Sequence, residues 1–78
     1  MVYLSEYRQL NDIVVEEAKR LFVSFEDVMS KRRTKVVVMA RTNAISRIRK
    51  ETTLSLTEIG YYFRRDHTTV MHALAKKG

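Results

Sequence analysis

Within Arg65-Asp66-His67-Thr68-Thr69-Val70 the chain places a carboxylate, an imidazole and a pair of hydroxyls in about one helical turn. Such a set could serve acid–base or metal chemistry, drawing on Asp66, His67 and His72. It could equally read nucleobase edges, where short polar groups project from the start of a helix. Spacing separates the alternatives. His67 and His72 lie five residues apart, about 140° around a helix, and cannot share a face as an i,i+4 ligand pair would. No catalytic residue, metal ligand or cofactor is therefore assigned, and His72 is given a packing or capping role.

Directly upstream, Ser55-Leu56-Thr57-Glu58 has the S-x-x-E spacing in which serine caps an amide and glutamate reaches back to the cap. Leu56, Ile59 and Phe63 would face inward on the helix that follows, and Val70, Ala73 and Leu74 on the next. Two short helices joined by a tight turn make a helix-turn-helix, whose second helix enters the major groove with its N-terminal residues on bases. Gly60 costs about 1 kcal/mol of helix propensity relative to alanine, so its use is close approach between the two helices. Tyr61 and Tyr62 read as partial core before they read as stacking platforms.

The remaining chain must build the support. Tyr7, Leu10, Val14, Ala18 and Leu21 recur at helical steps and predict a core helix from about Ser5 to Phe22. Asn11-Asp12 could instead cap a later start, with residues 3–10 forming a separate short segment. Ser24-Phe25-Glu26-Asp27 predicts a single capped turn through Met29, pinned by Phe25 and Val28. A basic loop, residues 30–35, follows. Val36-Val37-Val38-Met39 alone would read as a strand, but Val37, Ala40, Ala44, Ile45 and Ile48 keep a helical period. A long helix from about Thr34 to Glu51 is expected, its Arg41, Thr42, Arg47, Arg49 and Lys50 forming a polar, cationic face.

With 78 residues, 45% apolar content and no proline, one compact all-α domain spanning residues 1–78 fits, a small helical bundle around a helix-turn-helix at 55–76. There is no cysteine for a disulfide, and the longest apolar run, Val36 to Ala40, is far short of a membrane span. A soluble, cytoplasmic protein without a membrane partner is expected. Charge is polarised: residues 1–30 hold three basic against six acidic side chains, and the remainder twelve against three, giving the net +6. The basic portion contains the helix-turn-helix, and a polyanion is its natural partner.

Ser30-Lys31-Arg32-Arg33, Ser55-Leu56-Thr57-Glu58-Ile59-Gly60, Phe63 and Arg65-Asp66-His67-Thr68-Thr69-Val70-Met71-His72-Ala73 together resemble the carboxy-terminal DNA-binding domain of bacterial DnaA, domain IV, over about residues 11–77. The resemblance implies a helical bundle of the DnaA domain IV or Trp repressor type that recognises a DnaA box in double-stranded DNA. It implies that Arg33 enters the minor groove, that Asp66 accepts from a cytosine amino group, and that His67 and Thr68 meet thymine methyls and adjacent edges. Thr69 would contact a base or phosphate. Lys31, Arg32, Thr34, Arg41, Thr42, Arg49, Leu56, Thr57, Arg65 and Lys76 fall where the family grips the DNA backbone and sets register.

Departures accompany the matches. The chain has no G-x-x-x-x-G-K-[ST] motif and binds no nucleotide, so it is not a complete initiator; its only glycines are Gly60 and Gly78. Arg64-Arg65 follows Phe63 where glycine is usual, which predicts altered turn geometry, and Thr57 replaces a frequent proline. The sequence ends soon after the recognition helix, before family sequence that can pack behind it. The resulting expectation is a non-enzymatic, stand-alone DNA-binding protein of phage or mobile-element origin, associated with the nucleoid. It would regulate replication initiation or transcription by occupying DnaA-box-like sites, alongside host replication or transcription proteins. The competing expectation is an adaptor whose acidic first helix binds a protein.

Overall fold

The computed structural model describes residues 4–77, with side chains described for residues 7–75. Its helices, in order, are α1 (Leu4–Arg20), α2 (Phe25–Met29), α3 (Lys35–Glu51), α4 (Leu56–Phe63) and α5 (His67–Lys77). This is the expected all-α bundle. α1 runs unbroken through Asn11 and Asp12, so the alternative later start does not occur. The reason is packing: Leu10, Ile13 and Val14 are all buried, and a break at Asn11 would pull them off the core.

α3 is the central element. α1 packs along it, and α5 lies across α3 and α4. The valine run at its start is helical because only Val37 is buried, while Val36 and Met39 face outward. Its buried residues, Val37, Ala40, Ala44, Ile45 and Ile48, keep the helical period, and removing such side chains from water is worth about 1.5–3 kcal/mol each for the larger ones. That overrides the β preference of the isolated run. Val28 in α2, Ile59 and Phe63 in α4, and Val70 in α5 complete one contiguous core. Tyr62 joins it, its hydroxyl donating to Asn11 Oδ1 and its ring edge-on to Phe63, which ties α4 to α1. Burial, and then the neighbouring Tyr7, push its phenol up to about 12. Tyr61, by contrast, is 74% exposed.

Two ion-paired carboxylates fasten α1 to α3. Glu17 is 2% exposed, and Arg47 donates to it at 3.1 Å while also holding Glu16 at 2.7 Å and Glu51 at 2.9 Å. Hydrogen bonds to Glu51 and Glu16 raise the Arg47 pKa above its ordinary value. Arg47 thus leaves the expected cationic face and becomes an internal staple.

The elbow between α4 and α5 follows from local backbone rules. Ser55 Oγ accepts from the Glu58 amide at 3.1 Å and Glu58 Oε1 accepts from the Ser55 amide at 2.9 Å, closing the expected capping box. That pairing holds the Glu58 carboxyl below its usual range. A lowered carboxyl pKa stabilises the fold above the unfolded value, and that contribution disappears as pH falls through the folded one. Ser55→Ala removes the Oγ that accepts from the Glu58 amide and should cost about 1 kcal/mol, which a thermal melt at neutral pH measures.

At the other end of α4, Arg64 adopts φ 57 and ψ 46, the left-handed conformation that glycine would supply. The Arg64 amide donates to Tyr61 O and the Arg65 amide to Gly60 O, which is the Schellman closure. Arg64 thus occupies the left-handed position itself and accepts the strain that a glycine there would avoid. α1 ends in the same pattern, with Phe22 at φ 58 and 95% exposed. Gly60 meets the elbow at its tightest point, since a Cβ there would lie 2.5 Å from the Arg65 carbonyl oxygen. Two substitutions should consequently move stability in opposite directions. Gly60→Ala should destabilise by about 1–3 kcal/mol in spite of better helix propensity, and Arg64→Gly should stabilise by about 1 kcal/mol. Chemical denaturation of both variants checks the pair.

Candidate nucleic-acid interface

α5 begins where Asp66 turns the chain. Its carbonyl accepts from the Thr69 and Val70 amides at 3.0 and 3.3 Å, which makes Asp66 the residue that opens the helix. An aspartate there commonly folds its carboxylate back onto an amide. Here the carboxylate is exposed and makes no hydrogen bond or ion pair within the described residues, so its lone pairs point outward unused. His67, Thr68 and Thr69 are exposed as well. Val70, fully buried, sets the rotation of the helix. With Val70 inward and Ala73 and Leu74 half-buried beside it, Thr68, Met71 and His72 must face away from the core.

His72 is thereby corrected. It is exposed and lies one turn beyond Thr68, neither packed nor capping. Its outward position was available from the spacing of Val70, Ala73 and Leu74.

The basic loop is built as deliberately as the helix. Ser30 closes α2, its amide and hydroxyl both donating to Asp27 O, and its Oγ accepts from the Arg32 amide. Arg32 pairs with Asp27 at 3.2 Å. Lys31, Arg33, Thr34 and Lys35 remain exposed, and the Thr34 hydroxyl makes no capping hydrogen bond to α3.

Arg41 departs from its expected placement. At 7% exposure it lies beneath the loop, Nε donating to Val28 O at 2.9 Å and Nη2 to Ser30 O and Arg32 O at 2.8 and 3.1 Å. Burial, with the Arg65 and Arg33 charges adding to it, pulls the guanidinium down to about 10, still protonated at neutral pH. The spacing put it on the polar side of α3, but the loop folds over that side. Arg65 is half-buried; its Nη2 donates to the same Ser30 carbonyl at 2.8 Å, and its buried Nε has no partner among the described residues.

Arg33, Arg41 and Arg65 line one groove of about 480 Å³ between α3 and α5, together with Thr42, Thr69, His72 and the apolar Val38 and Ile45. A second hollow brings Tyr61 beside Asp66 and Thr69, a position for that aromatic which its sequence neighbours did not reveal. Arg49, Leu56 and Thr57 are not in the groove; they gather at the α3–α4 corner, where Arg49 Nη1 donates to Leu54 O at 2.9 Å and Leu56 packs partly on the core. The Ser55 cap leaves the Leu56 and Thr57 amides at the open start of α4, a polarity that favours an anion. Lys76 lies on α5, with its side chain outside the described residues.

A bent pair of helices, an outward acidic and hydroxyl-bearing turn, and an arginine groove opening beside it form a surface suited to a polyanion with readable edges. The bacterial DnaA protein helix-turn-helix family matches residues 10–76. The chain belongs to that family. Among curated relatives, the chromosomal replication initiator DnaA of Xanthobacter autotrophicus is 45% identical over 69 residues, covering 87% of this chain and 14% of the relative. DnaA of Bifidobacterium animalis subsp. lactis is 43% identical over 63 residues, 80% of this chain and 11% of the relative. DnaA of Neisseria meningitidis is 40% identical over 65 residues, covering 81% and 12% respectively. The chain thus spans only about an eighth of the DnaA proteins it matches. No solved structure matches it. Among the described residues no helix is long and apolar enough to cross a membrane, and no group of His, Cys, Asp or Glu gathers to hold a metal ion.

Proposed function

We propose that this DnaA-type helix-turn-helix binds duplex DNA at DnaA-box-like sites, with α5 in the major groove and Arg33 in the adjacent minor groove. DNA binding itself follows from membership of the family. The observation that carries the finer reading is the Asp66 carboxylate, exposed and unengaged at the head of α5, with His67, Thr68 and Thr69 around it and the arginine-lined groove alongside. An aspartate accepts from cytosine N4, and threonine and imidazole carbons suit the thymine methyl. Lys31, Thr34, Thr42, the α4 amides and Lys76 hold phosphates and fix register. Met71 and His72 extend the outward face of α5 by one turn.

The domain acts by occupancy, regulating replication initiation or transcription where its site lies. The adaptor reading loses ground because part of the acid of α1 is already engaged: Glu17 is buried and Glu16 is paired with Arg47. Selection of bound sites from a random duplex library, followed by titration at several salt concentrations, tests the proposal. A recovered DnaA-box-like consensus and a log–log salt slope of roughly −4 to −5, as four to six displaced counterions require, are expected. An unselected library with a flat salt response would leave the adaptor reading in possession.

A further inference from the structure

The loop that carries Arg33 and the turn that carries Asp66 are far apart in sequence, yet both are fastened to one backbone atom. Ser30 O accepts from Arg41 Nη2 and from Arg65 Nη2, each at 2.8 Å. Arg41 adds bonds to Val28 O and Arg32 O on either side, so that one guanidinium spans the whole descent of the loop from α2. Arg65 is the residue immediately before Asp66, and its own amide is fixed to Gly60 O in the elbow. A continuous path of hydrogen bonds therefore runs from the loop, through Ser30, into the turn that opens α5.

We propose that Arg41 and Arg65 are positioning residues for specificity: by sharing the Ser30 carbonyl they fix the distance between the Arg33 loop and the Asp66 turn. The inference rests on the proposed DNA reading and adds to it a role for Arg41 other than gripping the backbone. Three features support it. Arg41 is buried, which suits a brace and not a phosphate clamp. Its donors are committed to carbonyls in a planar fork, a geometry that a lysine ammonium on a flexible stem cannot reproduce. Finally, the arrangement gathers three like charges, Arg41, Arg65 and Arg33, about one loop; burial first, and those two neighbours after it, lower the Arg41 pKa.

The test compares wild type, Arg41→Lys, Arg33→Ala and the double variant on the selected duplex. A second duplex carries G·C in place of A·T at the minor-groove end. Anisotropy titrations at several salt concentrations give affinity, discrimination and slope. A brace predicts that Arg41→Lys loses discrimination at that end by about tenfold, as Arg33→Ala does. It also predicts a double variant scarcely worse than either single one.

Equal losses on both duplexes would make Arg41 a phosphate contact and overturn the inference. So would wild-type discrimination in Arg41→Lys. A wild type that cannot tell the duplexes apart defeats the DNA reading first and the inference with it. If melting shows Arg41→Lys to be unfolded, Arg65→Lys releases the same carbonyl from the other side. Lost discrimination is then the supporting result, and retained discrimination the refuting one.

Discussion

Asp66→Ala is expected to weaken binding to the preferred duplex by about 1–3 kcal/mol, roughly five- to 150-fold, and to abolish preference at one base pair. Binding to random DNA should barely change, or strengthen slightly, because a negative charge facing a polyanion has been removed. The direction is informative. A phosphate-gripping residue loses affinity on every sequence alike, whereas a carboxylate at a DNA surface can only help where a base amino group meets it. Arg33→Ala should show a different signature, losing a similar amount on the preferred duplex together with part of the salt slope, since it removes a cation from a narrow, strongly negative groove. Titration of both variants against selected and scrambled duplexes separates the outcomes. Equal losses on both duplexes for Asp66→Ala would refute base reading.

The second large effect concerns stability. Arg47→Ala should destabilise the domain by about 3 kcal/mol, the low end for breaking a buried pair because the Arg47 side chain is itself partly exposed. What remains is Glu17, whose side chain is 3% exposed, with its principal cation gone. Arg20 lies at 3.8 Å but is largely in solvent and replaces little of it. For a domain of this size the loss corresponds to a fall in Tm of roughly 12–24 °C. Glu17→Leu in the Arg47→Ala background should recover much of it, because an apolar side chain of similar volume does not require a partner. A melt of the wild type and the two variants decides the matter, and failure of the double variant to recover would place the loss in the Glu16 and Glu51 pairs.

Much of this architecture was legible because it is written in local rules. The Ser55–Glu58 capping box, the role of Gly60, and the inward set Val70, Ala73 and Leu74 each depend on residues a few positions apart, and each appears as expected. Even the valine run of α3 could be resolved, since the apolar period continues beyond it. The exposure of Asp66, His67, Thr68 and Thr69 was legible for the same reason: polar residues directly follow a helix-turn-helix elbow. What escaped was every feature created by a neighbour distant in sequence. Arg41 and Arg47 share a helix with Arg49 and look alike on a helical projection, yet one lies under a loop and one against the carboxylates of α1. Residue type predicts a charge, and only the tertiary fold decides whether that charge faces solvent, a carbonyl or an acid. Arg64 is a related case, because its strained backbone follows from the closure of α4 and not from any preference of arginine.

The backbone-to-backbone approach at Gly60 bears on how such a domain meets different targets. An elbow in which a single methyl group would already collide holds its two helices in backbone contact, and on the proposed DNA reading little of the fit to groove width or pitch then comes from opening it. Adaptation then falls to the nucleic acid, and duplexes whose steps bend or unwind cheaply will be favoured at positions that no side chain touches.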